Sequence, residues 1–96
     1  MKIYISGRIS GMRLITAEII FEFYELFLKD LGYNVVNPIK INHNHDLKWR
    51  SYMKKDIKYM MDCDAVFLLK NWKYSKGARI ERRLAKNLNY TILEEL

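Results

Sequence analysis

The sequence predicts a three-layer α/β fold, a parallel sheet of about four strands with helices on both faces. Three observations predict it. Short apolar runs alternate with longer segments of helical periodicity along the whole chain, and that alternation builds βαβ units. The run from Asp64 to Leu69 is apolar almost throughout, the mark of a strand buried on both faces. Glycines fall where a strand must turn into a helix or a helix must stop, at Gly7, Gly11 and Gly32.

Each element follows in order. Residues 2–6 alternate and read as a first strand, and Gly7-Arg8-Ile9-Ser10-Gly11 as a flexible loop after it. Residues 14–31 are a long helix, closed by Gly32 at the position where a left-handed residue ends helices. Residues 33–37 form a second strand, broken by Pro38, the only proline. A polar loop covers 39–47, and 49–61 is a second helix. The strand at 64–69 is followed by a loop at 71–76, a third helix at 77–88 and a fourth strand at 90–93. The order β-α-β-α-β-α-β describes a flavodoxin- or Rossmann-like sheet. Ligands of such sheets sit at the carboxyl ends of the strands, where the strand order reverses. That rule brings together three loops, 7–11, 38–47 and 71–76.

Half of the 96 residues are hydrophobic, ample for one core and one domain spanning 1–96. Such a composition excludes disorder. There is no linker, repeat or low-complexity run. No uninterrupted apolar stretch reaches membrane-spanning length, and the first residues alternate too strictly for a signal peptide. Cys63 is the single cysteine, so no intrachain disulfide forms and a cytoplasmic, reducing setting fits. Its ordinary role is a small core residue. The net charge of +6 points to an anionic partner: a phosphorylated metabolite, nucleic acid or an acidic protein. The basic residues are spread, densest at 48–58 and 79–83, which suits solubility better than a nucleic-acid footprint.

The first helix has two apolar stripes. Leu14, Ala17, Phe21, Tyr24, Leu28 and Leu31 make one; Ile15, Ile19, Phe23 and Leu26 make the other. Glu18, Glu22, Glu25 and Lys29 form the polar stripe. Two apolar stripes imply packing on the sheet and on a second subunit, hence a homodimer or larger homo-oligomer, unless both belong to one wide buried face.

Two acids fall on apolar helix faces. Asp56 lies three residues after Met53 and four before Met60. Glu81 lies three after Ala78 and four before Ala85. Both therefore turn inward, and a buried acid is costly unless paired or used. A structural pairing with Arg79 or Arg82 would account for Glu81 alone. Two acids on helices that both start at the ligand edge also suit cleavage of a glycosidic bond: one attacks or stabilises the anomeric carbon, the other assists the leaving group or orients the substrate. The glycine-bounded loop offers backbone N–H groups to a phosphate.

These residues carry a resemblance. Tyr4-Ile5-Ser6-Gly7-Arg8-Ile9-Ser10-Gly11, then Asp56, then Asp64-Ala65-Val66, then Trp72 and Ser75-Lys76-Gly77-Ala78-Arg79-Ile80-Glu81, resemble the nucleoside 2-deoxyribosyltransferase superfamily. The nearer likeness is to its short, often phage-encoded members, grouped as DUF4406. The superfamily includes the 2'-deoxynucleoside 5'-phosphate N-hydrolases. The resemblance runs in order along nearly the whole chain. It implies that Glu81 is a nucleophile attacking the anomeric carbon, that Asp56 orients the sugar hydroxyl or assists departure of the base, and that Tyr4 sits near sugar and nucleophile. It implies that Ser75 bonds a 5'-phosphate or hydroxyl, that the loop from Ser6 and Gly7 through Arg8, Ile9 and Ser10 to Gly11 wraps the same end, and that Trp72 and Gly77 belong to the site. Water as acceptor would give hydrolysis, and a second base would give transfer. Arg8 stands where relatives often carry proline or a small residue, which either adds phosphate affinity or blocks the pocket. Larger transferases continue past the fourth strand, where this sequence stops at Leu96.

Other features have plainer readings. Asn42-His43-Asn44-His45-Asp46 contains metal-ligating types but reads as a solvated loop or substrate lid, so no metal or cofactor is expected. Trp49, at helical spacing with Tyr52 and Met53, reads as core. Trp72, in a loop before Ser75, reads as a pocket wall that stacks on a base. Arg79, Arg82 and Arg83 could steer a phosphate, with Arg82 and Arg83 facing solvent or a partner subunit. The leading expectation is an N-glycosidase or deoxyribosyl-transferring enzyme. The alternatives are a nucleotide-binding module without turnover and, on charge alone, a nucleic-acid accessory protein.

Overall fold

The computed structural model describes residues 1–41 and 48–96. Four strands, β1 (Lys2–Ser6), β2 (Asn34–Val36), β3 (Ala65–Leu68) and β4 (Thr91–Glu94), form one all-parallel sheet in the order β2-β1-β3-β4. Three helices connect them: α1 (Leu14–Asp30), α2 (Trp49–Met61) and α3 (Lys76–Asn87). Short 3-10 turns at Pro38–Lys40 and Lys70–Tyr74 follow β2 and β3. The fold is three-layered, α/β and Rossmann-like.

Strand alternation sorts the core into two halves. Ile3 and Ile5 of β1, with Ala65 and Phe67 of β3, pack under Phe21 and Leu28 of α1. Tyr4 of β1, with Val66 and Leu68 of β3, faces Met60 of α2 and Ala85 of α3. With helices on both faces, β3 has no wet side, and all four of its residues are buried.

The helix stops are chemical. Gly32 has φ +95°. It lets Gly32 N–H bond the Lys29 carbonyl and Tyr33 N–H bond the Leu28 carbonyl, a Schellman closure of α1. Asn89, at φ 59°, closes α3 the same way, with Tyr90 N–H on the Ala85 carbonyl. Asparagine tolerates that conformation better than other side chains with a Cβ.

Helix α1 departs from expectation at two kinds of position. Leu14 and Leu31, expected in the packing stripe, are exposed, and so is the second stripe of Ile15, Ile19, Phe23 and Leu26. Only Ala17, Phe21, Glu25 and Leu28 are buried on this helix. Glu25 was expected in the polar stripe, yet it is 4 % exposed. Its carboxylate takes Lys29 at 2.6 Å, Lys40 at 2.9 Å and the Asn37 amide at 3.0 Å. Burial pushes its pKa up, but these donors outweigh burial and hold it at about 2. Cys63 is buried as expected, and burial raises its thiol to about 11. Among the described residues, no helix is long and apolar enough to cross a membrane.

Candidate active site

The chain leaves β1 toward α1 on one face and leaves β3 toward α3 on the other. Neighbouring strands whose connections part in this way open a crevice at their carboxyl ends. A cavity of about 460 Å³ lies there, in the range that holds a small ligand. Gly7, Ile9 and Ser10 after β1, Pro38 and Ile39 after β2, and Tyr74 and Ser75 after β3 contribute to its wall. Trp49, Tyr52, Met53 and Asp56 of α2 and Lys76, Gly77, Ala78 and Glu81 of α3 complete it, with Tyr4 and Leu14.

Glu81 is the best-defined group. It is 4 % exposed. Tyr4 and Ser6 stand two residues apart on β1 and so project to the same face, toward α3. The Tyr4 hydroxyl donates to Glu81 Oε2 at 2.7 Å, and the Ser6 hydroxyl donates to Oε1 at 2.7 Å. Burial drives the Glu81 carboxyl up to about 7; the two hydroxyls pull it back, and the charge of Asp56 adds to the rise. Tyr4 is itself pushed well above its ordinary value, by burial first and then by the charges of Glu81 and Asp56. It therefore remains a protonated donor. Asp56 is 8 % exposed and lines the same cavity from α2.

A carboxyl at about 7 exists in both protonation states near neutral pH. It can attack as an anion or exchange a proton. Four aromatic side chains, Tyr4, Trp49, Tyr52 and Tyr74, line the cavity with it and give apolar area for a flat ring.

The structure brings together Tyr4, Gly7, Ile9, Ser10, Asp56, Ser75, Gly77 and Glu81 of the residues singled out in the sequence. Ser6 lies behind the wall, fully buried and bonded to Glu81. Ser75 caps α3, accepting from Ala78 N–H at 3.1 Å. Arg8 and Gly11 are not in the wall. The Arg8 guanidinium bends back to the carbonyls of Ser10 at 3.3 Å and Gly11 at 3.5 Å.

The two tryptophans exchange places. Trp72, expected in the wall, packs half-buried against the core cluster on the α2 and α3 side of the sheet, with the Arg82 guanidinium 4.6 Å from the centre of its ring. Trp49, expected in the core, is 40 % exposed and lines the cavity. Helical spacing cannot tell core from cavity in a first turn, because both lie on the inward face. Arg82, expected outside, is held by that stacking, and Arg79 donates to the Lys73 carbonyl at 2.9 Å.

Sequence reasoning missed Asn71. Its Oδ1 accepts Arg8 N–H at 2.9 Å and ties the glycine loop to the turn after β3. Its position in the 71–76 loop was the only signal. The cluster from Asn42 to Asp46 lies outside the described residues; among the described residues no group of three His, Cys, Asp or Glu could hold a metal ion.

No curated protein matches the sequence. A solved 2-deoxyribosyltransferase from the psychrotolerant bacterium Bacillus psychrosaccharolyticus superposes with a TM-score of 0.73 at 18 % identity, over 98 % of this chain and 71 % of that one. At that identity the likeness is one of fold. The family model for a domain of unknown function, DUF4406, matches residues 1–94. With that match over nearly its whole length, the chain belongs to the DUF4406 family.

Proposed function

We propose that the protein cleaves or transfers the N-glycosidic bond of a nucleoside or nucleoside 5'-phosphate, with Glu81 as nucleophile. One observation carries the reading: a buried carboxyl at about 7, oriented by two hydroxyls, in the wall of a cavity that also presents a second acid. In the anionic state a Glu81 oxygen bonds the anomeric carbon. The carbon–nitrogen bond breaks as it forms, and the electron pair leaves with the base, which takes up a proton. Asp56 orients a sugar hydroxyl or assists that proton transfer. Water, or a second base, then displaces Glu81 and restores the carboxylate. The fold shared with a 2-deoxyribosyltransferase supports this reading.

The test is chromatography of free base after incubation with a nucleoside and nucleotide panel. The expected result is base release by the unmutated protein, at least 100-fold less by Glu81→Gln with the fold retained, and a rate that rises with pH through about 7. Tight ligand binding without turnover would replace the enzyme with a binding module.

The exposed row Ile15, Ile19, Phe23 and Leu26 on α1 supports a second part of the proposal, a homodimer joined through this helix. Sedimentation of the unmutated protein should give a dimer, and Phe23→Lys a monomer.

A further inference from the structure

Among the described residues, the cavity wall holds one cation, Lys76, against the two acids Asp56 and Glu81. Other cations near this edge are engaged elsewhere: Arg8 on its own loop, Arg79 on the Lys73 carbonyl, Arg82 on Trp72. The Lys76 ammonium rests 4.7 Å from the centre of the Trp49 ring, bridging the first turns of α3 and α2 across the cavity. Lys76 is also misplaced by local rules. It is the first residue of α3, where the helix dipole favours an acid, and the first turn of α3 contains none. A local rule broken at the rim of a cavity is a mark of use. Beside it, Ser75 takes the amides of Ala78 and Arg79, which leaves those of Lys76 and Gly77 as the first-turn amides without an acceptor in the helix.

We propose that Lys76 and Trp49 form an exchange clasp that makes the cavity select a phosphorylated nucleoside. The inference rests on the glycosyl reading for the identity of the ligand, but concerns its binding alone. A base stacking on Trp49 takes the face the ammonium occupies. The ammonium, released, pairs with the phosphate at the amino end of α3. Neither half suffices. A nucleoside must displace the ammonium without offering it a new partner, and inorganic phosphate gains no ring. A nucleotide does both, and the charge of Lys76 offsets the repulsion of its phosphate by Asp56 and Glu81. Lys76 is thus a specificity-determining residue.

The experiment is calorimetric titration of the Glu81→Gln protein, which holds ligand without turning it over, with a nucleoside, its 5'-monophosphate and inorganic phosphate. The monophosphate should bind about 10- to 100-fold more tightly than the nucleoside, the range of one charge-assisted contact, and inorganic phosphate weakly or not at all. Adding Lys76→Met, which keeps the stem and removes the charge, should bring the ratio to about one without weakening the nucleoside. The side chain is exposed, so the variant should fold, and thermal unfolding checks that. Equal binding of nucleoside and monophosphate, a ratio that survives Lys76→Met, or binding of neither would overturn the clasp. A protein that shows the Lys76-dependent ratio but releases no base when unmutated keeps the clasp and loses the glycosyl reading.

Discussion

Replacing Glu81 with Gln should remove a loss of stability that the unmutated chain undergoes as pH rises from about 5 to about 8. The carboxyl titrates at about 7 in the folded state against an ordinary value of 4.5. Between those values the folded protein keeps a proton that the unfolded chain has released. Stability therefore falls as pH rises through that window, and the loss is complete above the folded pKa. The gap of roughly 2.5 units, at about 1.4 kcal/mol each, amounts to about 3 kcal/mol at full ionisation, of which about 2 to 3 kcal/mol develops between pH 5 and pH 8. Glutamine cannot ionise. One of the hydrogen bonds from Tyr4 and Ser6 must reverse to meet its amide, but that is a constant offset. The measurement is urea unfolding of both proteins at pH 5, 6, 7 and 8, read as the difference between them, so that most other titrating groups cancel. The difference should move toward the variant by that amount as pH rises, at equal denaturant dependence. A difference constant to within about 0.5 kcal/mol, below the scatter of independent sites, would mean the carboxyl ionises at its ordinary pH and would refute the argument from burial.

Three other outcomes follow from the same structure. Tyr4→Phe removes the donor at 2.7 Å from Glu81 Oε2 and should raise the titration midpoint by about one unit, read by carbon NMR of labelled glutamate. Glu25→Gln should cost about 2 kcal/mol at pH 7; because Glu25 is held at about 2, the cost should shrink as pH falls below 4.5, roughly halving by pH 3, as urea unfolding at the two pH values would show. Gly7→Ala would set a Cβ 2.5 Å from Leu69 Cδ1 and 2.9 Å from Leu69 Cβ, against a side chain that is 1 % exposed; it should destabilise by about 1 to 3 kcal/mol, and unchanged thermal unfolding would contradict that packing.

The sheet was legible because its strands are short and bounded by glycine, proline and asparagine, and because both faces are covered. Spacing alone turned Asp56 and Glu81 inward, since three- and four-residue steps define a helix face. What spacing could not show is which partner waits across the gap. Glu25 sits on a face that looks polar from α1 alone, and its burial comes from Asn37 and Lys40, supplied after β2. Trp49 and Trp72 were exchanged for a similar reason. The wall of a cavity and the wall of a core have the same composition until neighbouring elements are in place. Arg8, expected either to add phosphate affinity or to block the pocket, does neither in the wall, because the turn at Gly11, with φ +83°, brings carbonyls within its reach.

The placement of Tyr4 and Ser6 on one strand has a consequence for how this protein can change. Ile3 and Ile5 of β1 hold up α1, and Tyr4 and Ser6 between and after them tune an acid on α3. Losing or gaining a single codon between them would exchange the two sets, sending isoleucine to the acid and hydroxyls into the oily layer. Architecture and reactivity are therefore written in one alternating text, so that substitution can adjust either line, while an insertion garbles both together.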